Sequence, residues 1–557
     1  MSAAAITHQP NGNGVATEKV ENEWTILVFF AGEENISPAM TAQLKAIKDA
    51  GFEKHTTVLI HYDPNKRGVG TVTFDINTLR KKELGTSIGD GRDPFVRNLI
   101  EDIIPGAPKG ATAEQALKMF LKMGVKNHRA KHYAVVLVGH GMVVGNDAFL
   151  PDNSPETAIT LKQMGKILHD FKQAVEYEEN GGVVELIGLH SCSMSAVEVV
   201  YELKGAARYL MATEGISFVG SWPYRQLMKK ILNSIDEGKK GNDGLDVDRL
   251  IMSVQRLALH NSTDFMFSGI SADLCLCSLD PERVDELNDP LRRLSKALKA
   301  GLETARGVEV ISLAHLKAQS YWQETYTDLF DFCLCLAGKC NATDPIEKEM
   351  AEACKLIQTK LKEANRPDGL IVQSDFIGPL YQYSHGLSVY FPWAPPVEDI
   401  PGLPGENVLD RYNEYKFTKD FQTCAVDDSW LSFLRLYFAK TLRTSRAKED
   451  NPKFSEEDLK FEPAHVTALR GSPSNAGGES LEPPKTSSQL DKTSSQLFGG
   501  VGGSCGCTIK NYPMEFPMSF MLSQRASEDP NPKSNGSSNG SSAVQQPATV
   551  GVSKVGP

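Results

Sequence analysis

A chain of 557 residues is long enough for two or three domains and for large buried cores. Its composition is that of an ordinary globular protein, and a net charge of -11 with no basic block argues against nucleic acid or an anionic membrane as the main partner. The apolar runs are too short to span a bilayer, and the ten cysteines include no C-x-x-C pair, so they read as reduced thiols of a cytoplasmic protein.

The first 22 residues are polar, lack the apolar segment of a secretory signal, and read as a disordered leader. Trp24–Phe30 (WTILVFF) is a continuous apolar run, the pattern of a strand buried on both faces. A turn at 31–35 leads to a helix over 38–50. Thr56–Ile60 is the second expected strand, and Val69–Phe74 alternates like an edge strand. The spacing of Ala113, Leu117, Phe120 and Leu121 predicts a helix over 110–123. It runs into the strand His132–Val138, which ends at Gly139-His140-Gly141. A helix is expected over 161–171. Val183–Leu189 is then a short apolar strand that ends in His190-Ser191-Cys192-Ser193, with a helix-patterned segment following directly. Tyr209–Ala212 is a further strand, followed by a loop over 213–222 and a helix that opens at Pro223. Strands alternating with helices over 24–235 predict an α/β domain with a largely parallel sheet.

Beyond 245 the pattern holds helices at 247–259 and 284–300, an apolar run at 266–278, a strand-like stretch Gly386–Phe391, and a helix at 430–438. The C-x-C pairs Cys275/Cys277 and Cys333/Cys335 lie in apolar runs and read as core residues rather than metal ligands. After about residue 441 Ser, Gly, Pro and Asn dominate, as in a low-complexity, disordered tail. Its one apolar island, Met514 to Leu522, is a candidate docking segment, with inert stickiness as the plainer alternative. Cys505 and Cys507 sit in the same tail.

Chemistry concentrates at two strand ends. In an open α/β sheet, ligands bind outside the carboxyl ends of the strands. There this chain offers His140 and Cys192, a candidate base and nucleophile. A thiolate at a strand-to-helix turn would gain from the free N–H groups of the helix that follows. The backbone N–H groups of Gly141 and Cys192 would then bind a developing oxyanion. The residues alone leave a second reading open, with Cys192 a buried small residue and His140 a satisfied loop histidine. No G-x-S-x-G is present, which argues against a serine hydrolase.

YAVVLVGHG (133–141) and ELIGLHSCSMSAVEVVYEL (185–203) resemble the clostripain-like cysteine peptidases, relatives of caspases, legumains, gingipains and separase. WTILVFFAGEENI, VLIHYD, YTDLFDF (326–332) and GLSVYFPW (386–393) resemble further signatures of that family, in the family's order over about 24–440. The resemblance implies a caspase-like αβα sandwich with a mostly parallel central sheet, plus an α+β C-terminal region. On it, residues 23–244 form the catalytic domain, 245–440 a region packed on that domain, and 441–557 the tail. His140 and Cys192 carry over as the catalytic dyad of a thiol protease acting on protein or peptide substrates.

Two departures bear on specificity. The family has an acid two residues before the nucleophile, where this chain has His190. Members specific for a basic P1 residue carry another acid in the next loop. Here that loop, 215–222, has none, and Glu214 stands only at its start. A guanidinium partner wants a bidentate carboxylate, so a P1 preference other than basic is expected. His190, Glu214, Ser221 and Trp222 are the candidate pocket residues. His190 keeps three readings: pocket lining, support for Cys192, or space filling. The segment 142–160 holds no Lys or Arg, so a basic-specific enzyme would not process itself there. No metal or cofactor is expected, and calcium dependence would come only from family analogy. The rival function is a catalytically silent peptidase-fold scaffold; a third is transpeptidase or amidase chemistry from the same pair.

Overall fold

The computed structural model describes residues 22–446, apart from 32–36, 51–52, 64–71, 77–103, 106–110, 142–148, 154–155, 178–180, 241–244, 261–270, 323, 363–368, 397–407 and 423–426. The leader up to residue 21, the tail beyond 446, its island Met514–Leu522, and Cys424, Cys505 and Cys507 lie outside the described residues.

Strand β1 (Asn22–Phe30) shows why the apolar runs are continuous. Its side chains alternate, Leu27 and Phe29 entering one core and Ile26, Val28 and Phe30 the other. Both faces of the sheet are therefore covered. The strands that follow are β2 (Thr56–Tyr62), β3 (Val72–Asp75), β4 (Ile104–Pro105), β5 (Ala130–Val138), β6 (Phe149–Asn153), β7 (Glu156–Ile159), β8 (Val183–His190), β9 (Tyr209–Ala212), β10 (Ala272–Ser278), β11 (Ser320–Tyr321), β12 (Tyr326–Asp328), β13 (Ile371–Ile377) and β14 (Ser388–Tyr390). Among the described residues, nine of them form one sheet in the order β13-β10-β9-β8-β5-β1-β2-β3-β4. From β2 to β9 neighbouring strands run parallel, and antiparallel strands extend each edge.

The helices are α1 (Ser37–Lys48), α2 (Ala113–Asn127), α3 (Leu161–Tyr177), α4 (Val197–Leu203), α5 (Tyr224–Lys240), α6 (Val247–His260), α7 (Pro281–Asp285), α8 (Asn288–Gly301), α9 (Ala305–Lys317), α10 (Leu329–Ala337), α11 (Pro345–Leu361), α12 (Val408–Tyr412), α13 (Lys416–Lys419) and α14 (Trp430–Arg446). Helices α1, α5 and α6 cover one face through Met40, Leu44, Leu227, Met228, Ile251 and Val254. Helices α2, α3 and α4 cover the other through Leu117, Phe120, Met164, Leu168, Val197 and Val200. The result is the expected αβα sandwich. Local signals fix the starts of the helices that flank β5. Thr112 Oγ1 accepts the Gln115 N–H and Gln115 Oε1 accepts the Thr112 N–H, a capping box that opens α2. Thr160 and Gln163 repeat the exchange at α3. No helix among the described residues is long and apolar enough to cross a membrane.

The sheet continues past residue 244. β10 pairs antiparallel with β9, and β13 pairs with β10, so these two strands of the later region extend the central sheet. The stretch expected as one helix over 284–300 is two, α7 and α8. A small sheet, β11-β12-β14, clamps the turn after Cys192: Ser388 donates its N–H to the Ser195 carbonyl at 3.0 Å. Buried Glu198 on α4 reinforces the clamp, its Oε1 accepting the Tyr390 N–H at 3.0 Å and the Tyr412 hydroxyl at 2.6 Å.

Candidate active site

The parallel register of β5 and β8 places Val138 opposite His190. Two residues past each stand His140 and Cys192, so pairing of apolar strands delivers a histidine and a cysteine to adjacent ends of the sheet. Gly141 makes the approach close. A Cβ on it would lie 1.9 Å from the Cys192 carbonyl oxygen and 2.6 Å from the Cys192 nitrogen. Only glycine fits there without moving backbone. His140 is buried, and burial pulls its pKa down to about 4, so it is neutral at neutral pH.

Cys192 is 1% exposed. The loop after β9 covers it: the Ser217 N–H donates to Sγ at 3.3 Å, and the thiol faces the Ser217 carbonyl at 3.5 Å. The turn itself is strained. Ser193 has φ 55°, a left-handed conformation that L residues rarely adopt, and the buried hydroxyls of Ser191 and Ser193 have no hydrogen-bond partner among the described residues. One expectation fails here. The helix does not follow Cys192 directly, because α4 begins only at Val197 after an extended Ala196. The nearer N–H groups are already used, Ser193 bonding the Gly215 carbonyl at 2.9 Å and Ser195 the Thr213 carbonyl at 2.8 Å. A helix dipole acts over the first turn, so α4 gives the thiol little help.

His190 is buried and stacks on Trp222, ring centroids 4.5 Å apart and planes 5° from parallel. Its Nε2 lies 2.8 Å from the Phe218 carbonyl and 3.2 Å from Ser221 Oγ; its Nδ1 lies 2.9 Å from the Tyr224 hydroxyl. A carbonyl only accepts, so Nε2 donates and Nδ1 accepts from Tyr224. Burial drives the His190 pKa down to about 3, against the Phe218 bond. His190, Ser221 and Trp222 are thus brought together next to Cys192, as a closed neutral cluster. These contacts tie His190 to Phe218 and Ser221 of the loop that covers Cys192.

Glu214 is not with them. Its side chain is fully buried on the other side of the loop start, where Oε2 accepts the Gly386 N–H at 2.8 Å and the Tyr321 hydroxyl at 3.1 Å. Burial, then the nearby Asp328 and Asp273, hold its carboxyl protonated well above the usual range. Its other oxygen, Oε1, is buried and has no hydrogen-bond partner among the described residues.

Sequence reasoning missed Asp273, Ser217 and Tyr381. The Asp273 carboxylate takes the Glu214 N–H at 2.6 Å and the Gly215 N–H at 3.0 Å, fixing where the covering loop starts. The Tyr381 hydroxyl takes the Ile216 N–H at 3.2 Å, and a Cβ at Gly215 would meet its ring at 2.5 Å. The signal for Asp273 was available: one acid inside the apolar run ADLCLCS must be paired once buried. Ser217 acts through its own peptide group and Tyr381 through a hydroxyl that meets loop backbone, contacts that leave no such signal.

Cys275, Cys277 and Cys333 are fully buried core residues and Cys335 is half-buried. Among the described residues no group of three or more His, Cys, Asp or Glu is arranged to hold a metal ion. The arrangement offers a thiol, a neutral imidazole one strand away, and a glycine backbone pressed against the nucleophile. Those are the parts of acyl transfer to sulfur.

No curated protein matches the chain. Among solved structures it is similar to an inactive zymogen C11 protease from Parabacteroides distasonis, at 15% identity and TM-score 0.43 over 72% of this chain and 99% of that one. It is also similar to a secreted C11 cysteine protease from Bacteroides thetaiotaomicron in complex with an irreversible peptide inhibitor, at 12% identity and TM-score 0.43 over 75% and 99%. The sequence profile of the clostripain family matches residues 100–430. That is more than half of the chain and includes both strand ends, and on it the chain belongs to the clostripain family, as a cysteine peptidase acting on protein or peptide substrates.

Proposed function

We propose that Cys192 and His140 are the catalytic dyad, and that the enzyme cleaves after an uncharged residue in limited proteolysis inside the cell. The observation that carries the dyad is the contact of Gly141 with the Cys192 backbone, which sets the histidine loop against the nucleophile. In the cycle, neutral His140 takes the thiol proton as sulfur attacks the peptide carbonyl. The backbone N–H groups of Gly141 and Cys192 stabilise the oxyanion. The C–N bond breaks as His140 returns the proton to the leaving amine. Water then attacks the thioester, giving its proton to His140, and the thiol is restored. Before attack the substrate has to displace Ser217 from the sulfur.

The uncharged P1 preference rests on His190, which keeps both ring nitrogens occupied and no charge, and on Glu214, which is fully buried with one oxygen held by Gly386 and Tyr321. The intracellular setting rests on the free thiols among the described residues. The segment after His140 supports action without self-cleavage. β6 and β7 form a hairpin there, with Phe149, Leu150 and Ile159 fully buried. A peptidyl probe with a thiol-directed electrophile tests the reading. Labelling should fall on Cys192, disappear in Cys192→Ala, and be faster with Ala or Gln than with Lys at P1. Labelling that survives Cys192→Ala, or a preference for Lys, overturns it.

A further inference from the structure

Large apolar side chains are rarely left in water without a use when they cluster beside a binding site. Phe376, Leu380 and Tyr383 are 40%, 62% and 54% exposed, within one short stretch of chain at the end of β13. β13 is the last strand of the sheet, and it runs parallel to β9, because each pairs antiparallel with β10. Its carboxyl end therefore lies on the same edge as those of β5, β8 and β9, where Cys192 sits.

The stretch is continuous with the active-site loop. Phe376 pairs in register with Asp273, whose carboxylate holds the Glu214 and Gly215 N–H groups. Leu380 donates its N–H to Ser271 Oγ at 2.9 Å. Tyr381, between the exposed residues, takes the Ile216 N–H from the loop that covers Cys192.

The direction of the substrate follows from the chemistry, given the dyad proposed above. His140 must stand beside the leaving amine to protonate it, and it follows β5, on one side of β8. The acyl half of the substrate then extends the other way, across β9, β10 and β13. Three strand spacings of about 4.8 Å put β13 about 14 Å from β8, and an extended peptide covers that in about four residues at roughly 3.3 Å each.

We infer that Phe376, Leu380 and Tyr383 are specificity-determining residues that bind an apolar side chain about four positions N-terminal to the scissile bond. The substrate class is an extended peptide segment with Leu, Phe or a similar residue there and an uncharged residue at the cleavage point.

Two labelled peptides built on a site that the wild-type protein cleaves, differing only as Leu or Ser at the fourth position, test this. Their binding to the full-length Cys192→Ala protein is read by fluorescence anisotropy. The Leu peptide should bind about tenfold tighter, as partial burial of a leucine predicts. Adding Phe376→Ser, Leu380→Ser and Tyr383→Ser, all at exposed positions, should bring the ratio to within about twofold while the melting temperature stays near that of the parent. Equal binding of the two peptides, no binding of either, or a preference that survives the triple substitution overturns the inference. Cleavage of the peptide in the Cys192→Ala background, read by mass, would instead mean that the dyad is wrongly assigned, and the anisotropy ratio would still decide the apolar site.

Discussion

The same three strands end in opposite kinds of chemistry. At their amino ends, β5, β8 and β9 carry charge. His132 Nδ1 lies 2.7 Å from Glu185 Oε1, Arg208 Nη1 lies 3.0 Å from Glu185 Oε2, and Arg208 Nη2 lies 2.8 Å from Asp248. Trp24 stacks on His132 at the border of this network. At their carboxyl ends the strands deliver His140, Cys192 and the loop after Glu214, and burial keeps His140 and His190 uncharged. His132 sits beside the Glu185 carboxylate and stays partly exposed. A histidine among aromatics is held by shape and neutral hydrogen bonds, and burial keeps it uncharged.

The sharpest way to break the carboxyl end is to add one carbon atom. Gly141→Ala would place Cβ inside the Cys192 peptide group, 1.9 Å from its carbonyl oxygen. The backbone must move, at about 1–3 kcal/mol. A displacement of about an ångström at reacting groups costs about a hundredfold. We expect kcat/KM for peptide hydrolysis to fall at least about a hundredfold while circular dichroism stays that of the folded protein. A variant with activity within about threefold would show that the two strand ends are not pressed together in the working enzyme.

The strands were legible because the sheet is buried on both faces. A run such as WTILVFF serves two cores at once, so it shows no polar alternation and stands out in a mixed sequence. His140 and Cys192 were legible for the same reason, each standing just past such a run. Pairing across distance was not. ADLCLCS reads as a buried strand, but nothing in it says that it extends the sheet beside β9, or that its acid anchors the start of a loop over the nucleophile. The late start of α4 was hidden as well. The mostly small residues at 191–196 suit a helix start as readily as the strained turn that they form. The Ser217 contact with the thiol is made by a peptide group, which every residue has.

A second test sharpens the contrast through acid. His61, His190 and His315 are held near a pKa of about 3, and His140 near about 4, in each case by burial. The unfolded chain protonates them near 6.5 while the folded chain does not. Unfolding then takes up protons, so stability is complete above about pH 6.5 and falls as pH drops toward those values, by about 1.4 kcal/mol per pH unit for each such group. Asp273, raised to about 6 by burial, acts in the opposite sense. Comparing two proteins cancels it. His190→Gln removes one histidine and the Trp222 stack, so it should destabilise at pH 7 by about 2–3 kcal/mol. It should also lose less than wild type on going from pH 6 to pH 4. Denaturant unfolding at both pH values reads this, and equal pH slopes in the two proteins would mean that His190 is protonated in the folded chain.

The smallest effect is expected at the charged end. Glu185→Gln leaves the side chain in place and removes the partner charge of His132 and Arg208. Glu185 is buried, which would make a broken pair costly, but Arg208 is 43% exposed and keeps Asp248. The guanidinium is therefore not stranded, and a loss of about 1 kcal/mol in stability is expected. Glu185 lies about 20 Å from Cys192, counting seven extended residues along β8 and the turn. At that distance one charge on a partly solvated edge is screened, so kcat/KM should stay within about twofold of wild type. A tenfold fall with an unchanged melting temperature would show that the charged end reaches the thiol through the strands. The neutral environment at the carboxyl end would then be maintained by the network opposite rather than by the aromatics beside it.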